Sequence, residues 1–200
     1  MSKKQEEIYL IDGSSYIHRA YHAMGGLSNS KGFPTGAVFG FTNMIVKTLK
    51  DMNPKWIAVV FDAKGKNFRH DKYPAYKAHR PAMPEDLSLQ IPWIYSIIDA
   101  YRLPSLSVEG FEADDIIATM TREALKRDWK VIVVSADKDL MQLVGGSVIM
   151  WDPQRDTNYD STAVVKKFGV PPDLLLDLMA LVGDSSDNIP GVPGIGPKTA

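Results

Sequence analysis

The 200-residue sequence contains no cysteine, which excludes disulfides, thiolate zinc sites and a cysteine nucleophile. It also lacks any apolar run near the roughly 18 residues that a membrane span needs, and its opening, MSKKQEEIYLIDG, is too polar for a secretory signal. The expectation is a cytoplasmic protein without a membrane partner. Nor is there an excess of either charge: the formal net charge is -1, so the chain as a whole does not advertise a polyanionic partner. The four histidines, His18, His22, His70 and His79, show no ligand spacing, and the four tryptophans read as packing residues. What is present is 44% hydrophobic residues, enough for a real core in one domain.

Charge is distributed unevenly. Between Lys64 and Arg80 lie Lys64, Lys66, Arg69, Lys72, Lys77 and Arg80 against the single acid Asp71. Phe68, Tyr73 and Tyr76 are interleaved with them. Cations track phosphates and aromatic rings stack on unpaired bases, so this stretch reads as a lead-in for nucleic acid. Residues 63–83 show no clean period of 2 or 3.6 and are expected to form an excursion over the sheet edge, partly helical and mobile without a ligand.

The runs 7–12, 55–62, 130–137 and 147–152 are short, β-branched and barely alternating, as in strands buried on both faces of a parallel sheet, and each ends in aspartate. Helical patterns fall at 14–23, 35–52 (opened by Thr35), 84–101 (after Pro84), 112–127 and 161–168 (opened by Ser161). Strands alternating with helices predict a mostly parallel α/β sheet with helices on both faces. The end, GDSSDNIPGVPGIGPKTA, is turn-rich, and 191–200 reads as a glycine hairpin opening a helix, where backbone N–H groups can approach a phosphate.

In such sheets ligands bind beyond the carboxyl ends of the strands, so Asp12, Asp62 and Asp137 converge on one crevice, joined by Asp139. Glu112, Asp114 and Asp115 open a helix, and Asp184 and Asp187 lie in the terminal turn. Any one of the helix-start acids can be explained as a cap, and Asp152 and Asp160 are assigned to turns. Three strand ends plus two clusters exceed what capping explains. Nine carboxylates in one cleft repel by several kcal/mol unless cations neutralise them, and an all-oxygen set favours Mg²⁺ or Mn²⁺, two or more ions. Two such ions can hold a scissile phosphate and activate water. Asp115, Lys77 and Arg80 are assigned to catalysis, the two cations facing the reacting phosphate.

The stretches LIDGSSYIHRAYHA (10–23), PTGAVFGFTNM (34–44), VVFDAKGKNFRH (59–70), YKAHRPAMP (76–84), GFEADD (110–115), SADKDLMQLV (135–144) and GDSSDNIPGVPGIGPKTA (183–200) resemble the flap endonuclease and 5′-3′ exonuclease family, in family order across nearly the whole chain. The likeness is greatest to the 5′ nuclease domains that open bacterial DNA polymerases I. The resemblance implies a PIN-like core and a Mg²⁺-dependent nuclease that removes 5′ flaps and RNA primers in replication and repair. The same nine acids match the family's metal site. Tyr76, Lys77 and Arg80 match its arch or gateway, placed at about 63–90, and Arg19 matches a basic residue near the active site. Residues 183–200, with Gly194, Gly196 and Lys198, look like the beginning of a helix-hairpin-helix that grips duplex DNA with a potassium ion, after a core at 1–182. The family continues past GPKTA, so the chain is expected to be a monomeric fragment with an incomplete duplex grip, followed in its parent by polymerase domains and associated with the bacterial nucleoid. A binding module without catalysis and a small-molecule phosphohydrolase are the competing readings. The second lacks the further acid two residues beyond Asp12 that an Asp-x-Asp nucleophile site needs.

Overall fold

Six strands form one sheet in a computed structural model that describes residues 5–200; residues 1–4 of the expected core lie outside the described residues. In chain order they are β1 (Glu7–Asp12), β2 (Trp56–Val60), β3 (Ser105–Leu106), β4 (Lys130–Val134), β5 (Val148–Asp152) and β6 (Thr157–Tyr159), arranged β3-β2-β1-β4-β5-β6. All neighbours pair in parallel except β6, which runs antiparallel to β5. A separate pair, β7 (Gly183–Asp184) with β8 (Ile189–Pro190), closes a tight hairpin.

Helices α1 (Gly13–Ala23), α2 (Gly36–Met52), α3 (Phe68–Lys72), α4 (Glu85–Ser88), α5 (Ile91–Ala100), α6 (Ala113–Leu125), α7 (Ser161–Phe168) and α8 (Leu175–Val182) complete the layers, with 3-10 turns at Asp139–Leu143 and Pro172–Leu174. The strands show no hydropathy alternation because both faces are covered. Tyr9, Ile11, Val59, Ile132 and Val134 pack with Tyr16, Phe41, Ile45 and Ile98 on one side. Leu10, Ala58, Val60, Val131 and Val133 pack with Ile117, Met141 and Val164 on the other. Alternate residues thus enter alternate cores, as a doubly covered parallel sheet requires. Gly40 lets α2 approach α1, since a Cβ there would lie 2.8 Å from the Ala20 Cβ. No helix among the described residues is long and apolar enough to cross a membrane.

The expected helix 84–101 is two helices. Pro92 has no N–H to return to the Ser88 carbonyl, so the helical ladder is interrupted: α4 stops at Ser88 and α5 restarts at Ile91 with Pro92 in its first turn. Gln90, buried at the break, accepts from the Val38 N–H at 3.1 Å and donates to the Asp86 carbonyl at 2.9 Å. Thr35 makes no side-chain cap, and α7 is capped by Asp160, which accepts from the Ala163 N–H, rather than opened by the Ser161 hydroxyl. The strands end earlier than expected: β2 at Val60 and β4 at Val134, leaving Asp62 and Asp137 in the loops just beyond. The helix expected to open within 191–200 is a single turn, in which the Thr199 and Ala200 N–H groups both reach the Gly196 carbonyl. Before it, Pro193–Gly194 forms a turn closed by Ile195 N–H on Val192, with Gly194 at φ +82 where a side chain would be strained.

Candidate metal centre and nucleic-acid interface

Register explains why the strand-end acids meet. Asp12 pairs with Val60 and Ile11 with Val134, so Asp12, Asp62 and Asp137 leave the sheet on the same edge. The strand order also reverses here, since the chain passes from β1 outward through β2 and later returns to β4 on the other side, the crevice where α/β sheets bind ligands.

Asp12 is buried and fully engaged. One oxygen caps α1 through the Ser15 N–H at 2.9 Å and the other accepts the Ser135 hydroxyl at 2.8 Å. Burial, reinforced by Asp137 and Asp62, pushes its carboxyl up to about 7. Ser135 Oγ also accepts the Asp137 N–H, and Asp137 Oδ1 accepts the Asp139 N–H, so one loop aligns both acids. Asp62 links strand to helix: its N–H donates to Ser14 Oγ at 2.8 Å and its Oδ1 accepts the Ala113 N–H at 2.8 Å.

At the start of α6 the three acids diverge in environment. Burial and the charges of Asp12, Asp137, Asp62 and Asp139 drive Asp114 up to about 8. Burial also acts against ionised Glu112, but Lys77 at 2.7 Å, the Tyr76 hydroxyl at 2.8 Å and Arg69 hold it below the usual range. Asp115 is held low by a bidentate Arg69. Glu112 and Asp115 also form a reciprocal cap, each accepting the other's backbone N–H.

The tightest group is Asp139, Asp184 and Asp187, which offer one oxygen each within 4.8 Å of one another. Burial and Asp137 raise Asp139 to about 6, Lys138 opposing and Asp184 and Asp187 adding to the rise. Its buried Oδ1 has no hydrogen-bond partner. Asp184, although burial acts to raise it, is held low by Lys138 at 3.0 Å and by the Ser186 N–H. Glu112, Asp114, Asp115, Asp139, Asp184 and Asp187 share a cleft of about 730 Å³ with Arg69, Lys72, Tyr73 and Tyr76. Asp62 faces a smaller recess of about 200 Å³ with Lys66, Lys77, Arg80 and Glu112. An orphaned buried oxygen on Asp139, in an all-oxygen cluster where Asp184 and Asp187 add to the upward push on its carboxyl, fits hard divalent cations.

The basic excursion is anchored to the acids. Arg80 pairs with Asp187 at 2.7 Å and donates to the Ser186 carbonyl, and the Lys77 N–H donates to the Asp187 carbonyl at 3.0 Å, with Lys77 at φ +53. Tyr76 corrects the expectation of a base-stacking ring: its side chain is buried, and its hydroxyl bridges Glu112 and Asp187 because that is where its polar end finds acceptors. Phe68 and Tyr73 remain exposed, Phe68 lying against Phe111 with Arg69 and Lys72 over its ring. Lys64 is exposed, as are Gly194 and Lys198, whereas Gly196 is half-buried. Arg19 pairs at 3.3 Å with Asp152, an acid outside the nine.

Sequence reasoning missed Asn67, Ser135 and Lys138. Buried Asn67 caps α3, accepting the Arg69 N–H, and donates to Glu112 at 2.8 Å. An Asn preceding a short helical run is a capping signal, but nothing local reveals a partner 45 residues away.

A parallel sheet that gathers carboxylates at its carboxyl edge beside a cationic loop defines a class, the resolvase-like α/β domains with an acidic cleft. Within it, one family model described as 5′-3′ exonuclease, N-terminal resolvase-like domain, matches residues 7–169, and another described as 5′-3′ exonuclease, C-terminal SAM fold, matches 170–200. The chain belongs to the 5′-3′ exonuclease family.

It is 48% identical to DNA polymerase I of Rhizobium leguminosarum, over 99% of this chain and 20% of that protein. It is 44% identical to a 5′-3′ exonuclease of Aquifex aeolicus, over 96% of this chain and 67% of that protein. The chain therefore spans about a fifth of the polymerase relatives it matches. Among solved structures, T5 5′-exonuclease with bound zinc ions superposes with a TM-score of 0.77 at 22% identity, covering 97% of this chain and 73% of that one. The catalytic core of Rad2 in complex with DNA substrate gives 0.59 at 18%, covering 97% and 59%. Both likenesses establish the shared fold.

Proposed function

We propose that this chain is a structure-selective, divalent-metal-dependent 5′ nuclease that hydrolyses phosphodiester bonds in 5′ flaps, at nicks or gaps, or in RNA-primed DNA. The observation that carries this reading is the Asp139–Asp184–Asp187 cluster with its unpartnered buried Oδ1. Family membership supports it, as do the metal-bound and DNA-bound states of relatives of the same fold.

Asp12, Asp62, Glu112, Asp114, Asp115, Asp137, Asp139, Asp184 and Asp187 are the residues that would hold two or more Mg²⁺ or Mn²⁺ ions, some through water. When bound, such ions neutralise the phosphate and activate water. Lys77 and Arg80, which rest on Glu112 and Asp187, are placed to transfer their charge to the reacting phosphate once those carboxylates have another partner. Arg69, Lys72, Lys64 and Lys66 track the strand's backbone, and exposed Phe68 and Tyr73 offer ring faces to it. Residues 1–182 act as the nuclease core and 183–200 as the beginning of the duplex grip, in which Gly194, Gly196 and Lys198 approach a phosphate, with potassium as the accompanying ion. The chain works as a monomer on DNA in the cytoplasm.

The test is a labelled 5′-flap duplex incubated with the chain in Mg²⁺ or in EDTA. Product is expected only in Mg²⁺. Equal product in both conditions overturns the proposal, and DNA binding without cleavage in Mg²⁺ reduces the chain to a binding module.

A further inference from the structure

On the Asp137 flank of the acidic site lies a third concavity, of about 430 Å³, lined by Ser15, Arg19, Asp137, Lys138 and Arg155. Its construction centres on Asp152, which is buried and ends β5. Oδ2 of Asp152 accepts from Arg19 Nη2 at 3.3 Å, while Oδ1 accepts the Gln154 N–H at 3.0 Å and the Arg155 N–H at 3.4 Å. One carboxylate thus fixes a guanidinium on α1 and shapes the β5–β6 turn that presents Arg155, with Asp156 at φ +48 completing the reversal.

Two details do not fit a simple structural ion pair. Arg19 Nη1 is buried without a hydrogen-bond partner, although a guanidinium that served only to satisfy Asp152 would bring both nitrogens to it. Arg155, meanwhile, forms no ion pair among the described residues, despite being held at the rim of a polar recess. Arg19 rests on Asp152 and Lys138 on Asp184, which leaves Arg155 and the unpartnered Nη1 of Arg19 as the uncommitted donors beside Asp137.

We propose that Arg19 and Arg155, with Ser15 and Lys138 at the edge, seat a phosphodiester group of the nucleic-acid strand on this flank, and that Asp152 is the positioning residue that aims both arginines. A fork of guanidinium donors matches phosphate oxygens, and a seat beside the acids fixes the register of the strand against them. The seat deepens the nuclease reading and rests on it; Arg155 and Asp152 are its new members.

The test compares Arg155→Ala with the unaltered chain in equilibrium binding to a 5′-flap duplex, followed by fluorescence anisotropy in EDTA over a series of salt concentrations. Arg155 lies on an exposed turn, and an unchanged thermal midpoint verifies the fold. Affinity is expected to fall severalfold, and the slope of log K against log salt to become shallower by about 0.9, one phosphate contact. Arg155→Lys keeps the slope. Asp152→Asn reproduces the loss by releasing Arg19; should it fail to fold, the Arg155 pair carries the test alone. Wild-type affinity and slope in Arg155→Ala overturn the seat. If the unaltered chain still cleaves the flap in Mg²⁺, only the seat falls, whereas an unaltered chain that binds no DNA overturns the nuclease reading as well.

Discussion

Arg69 holds Asp115 through both carboxylate oxygens, Nη1 to Oδ2 and Nη2 to Oδ1, each at 2.7 Å. The pair is only partly screened from solvent and competes directly with any cation that Asp115 would hold. Arg69→Ala is therefore expected to tighten Mn²⁺ binding by up to about fivefold, the equivalent of about 1 kcal/mol, while weakening DNA binding. Calorimetric Mn²⁺ titration of the two proteins checks this, and a weaker ion affinity in the variant would show that Arg69 does not compete.

Asp139 places an unsatisfied oxygen in a buried, anionic setting, an arrangement that costs stability when no cation is present. Asp139→Asn should raise the metal-free stability by about 1 to 3 kcal/mol, abolish the stabilisation produced by Mg²⁺, and lower cleavage at least about 100-fold. Urea unfolding with and without Mg²⁺, together with the flap assay, reads all three. A variant that is less stable and fully active contradicts the metal assignment.

Asp114, Asp12 and Asp139, raised to about 8, 7 and 6, retain protons in the folded chain that the unfolded chain has already released above about pH 4. The folded state thus binds more protons across this interval, and metal-free stability declines as pH rises from about 5 to 8. Glu112, Asp115 and Asp184, held low by their cations, act in the opposite sense only below that window. Mg²⁺ requires the ionised forms, so its stabilising effect should be larger at pH 8 than at pH 6. Thermal melts at the two pH values, with Mg²⁺ and with EDTA, test the trend, and a flat metal-free profile would refute it.

Gly191 directly follows β8 and faces Val182, the residue before β7, where a Cβ would come within 2.3 Å of the Val182 carbonyl oxygen. Backbone cannot yield as a side chain does, so Gly191→Ala should cost about 1 to 3 kcal/mol and weaken Mn²⁺ binding by displacing Asp184 and Asp187 together. Denaturant unfolding and Mn²⁺ titration measure the two effects. Loss of stability with intact ion affinity would separate the hairpin from the site.

The acids were readable to different depths. Asp12, Asp62 and Asp137 could be placed from hydrophobic runs ending in aspartate, because a parallel sheet aligns its strand ends whatever lies between them. The approach of Asp184 and Asp187 to Asp139 depends on β7 and β8, two residues each, too short to show any period. Helix α8, LLDLMALV, is apolar almost all round and so carried no helical stripe to detect. Tyr76 looked like a stacking ring because its neighbours are cationic; only the fold shows its hydroxyl between Glu112 and Asp187. Ser135 and Lys138 were invisible for the same reason, since a serine or lysine acquires its role from partners distant in the chain.

The stitching between residues 75–80 and 184–190 has a mechanical consequence. The Lys77 N–H reaches the Asp187 carbonyl, Asn188 donates to the Ala75 carbonyl at 2.7 Å and Arg80 to that of Ser186. Residues 75–80 and the turn that carries Asp184 and Asp187 are therefore tied into one unit. On the proposed nuclease reading, a strand that displaced residues 75–80 would carry Asp187 with them, coupling its entry to the spacing of the carboxylates.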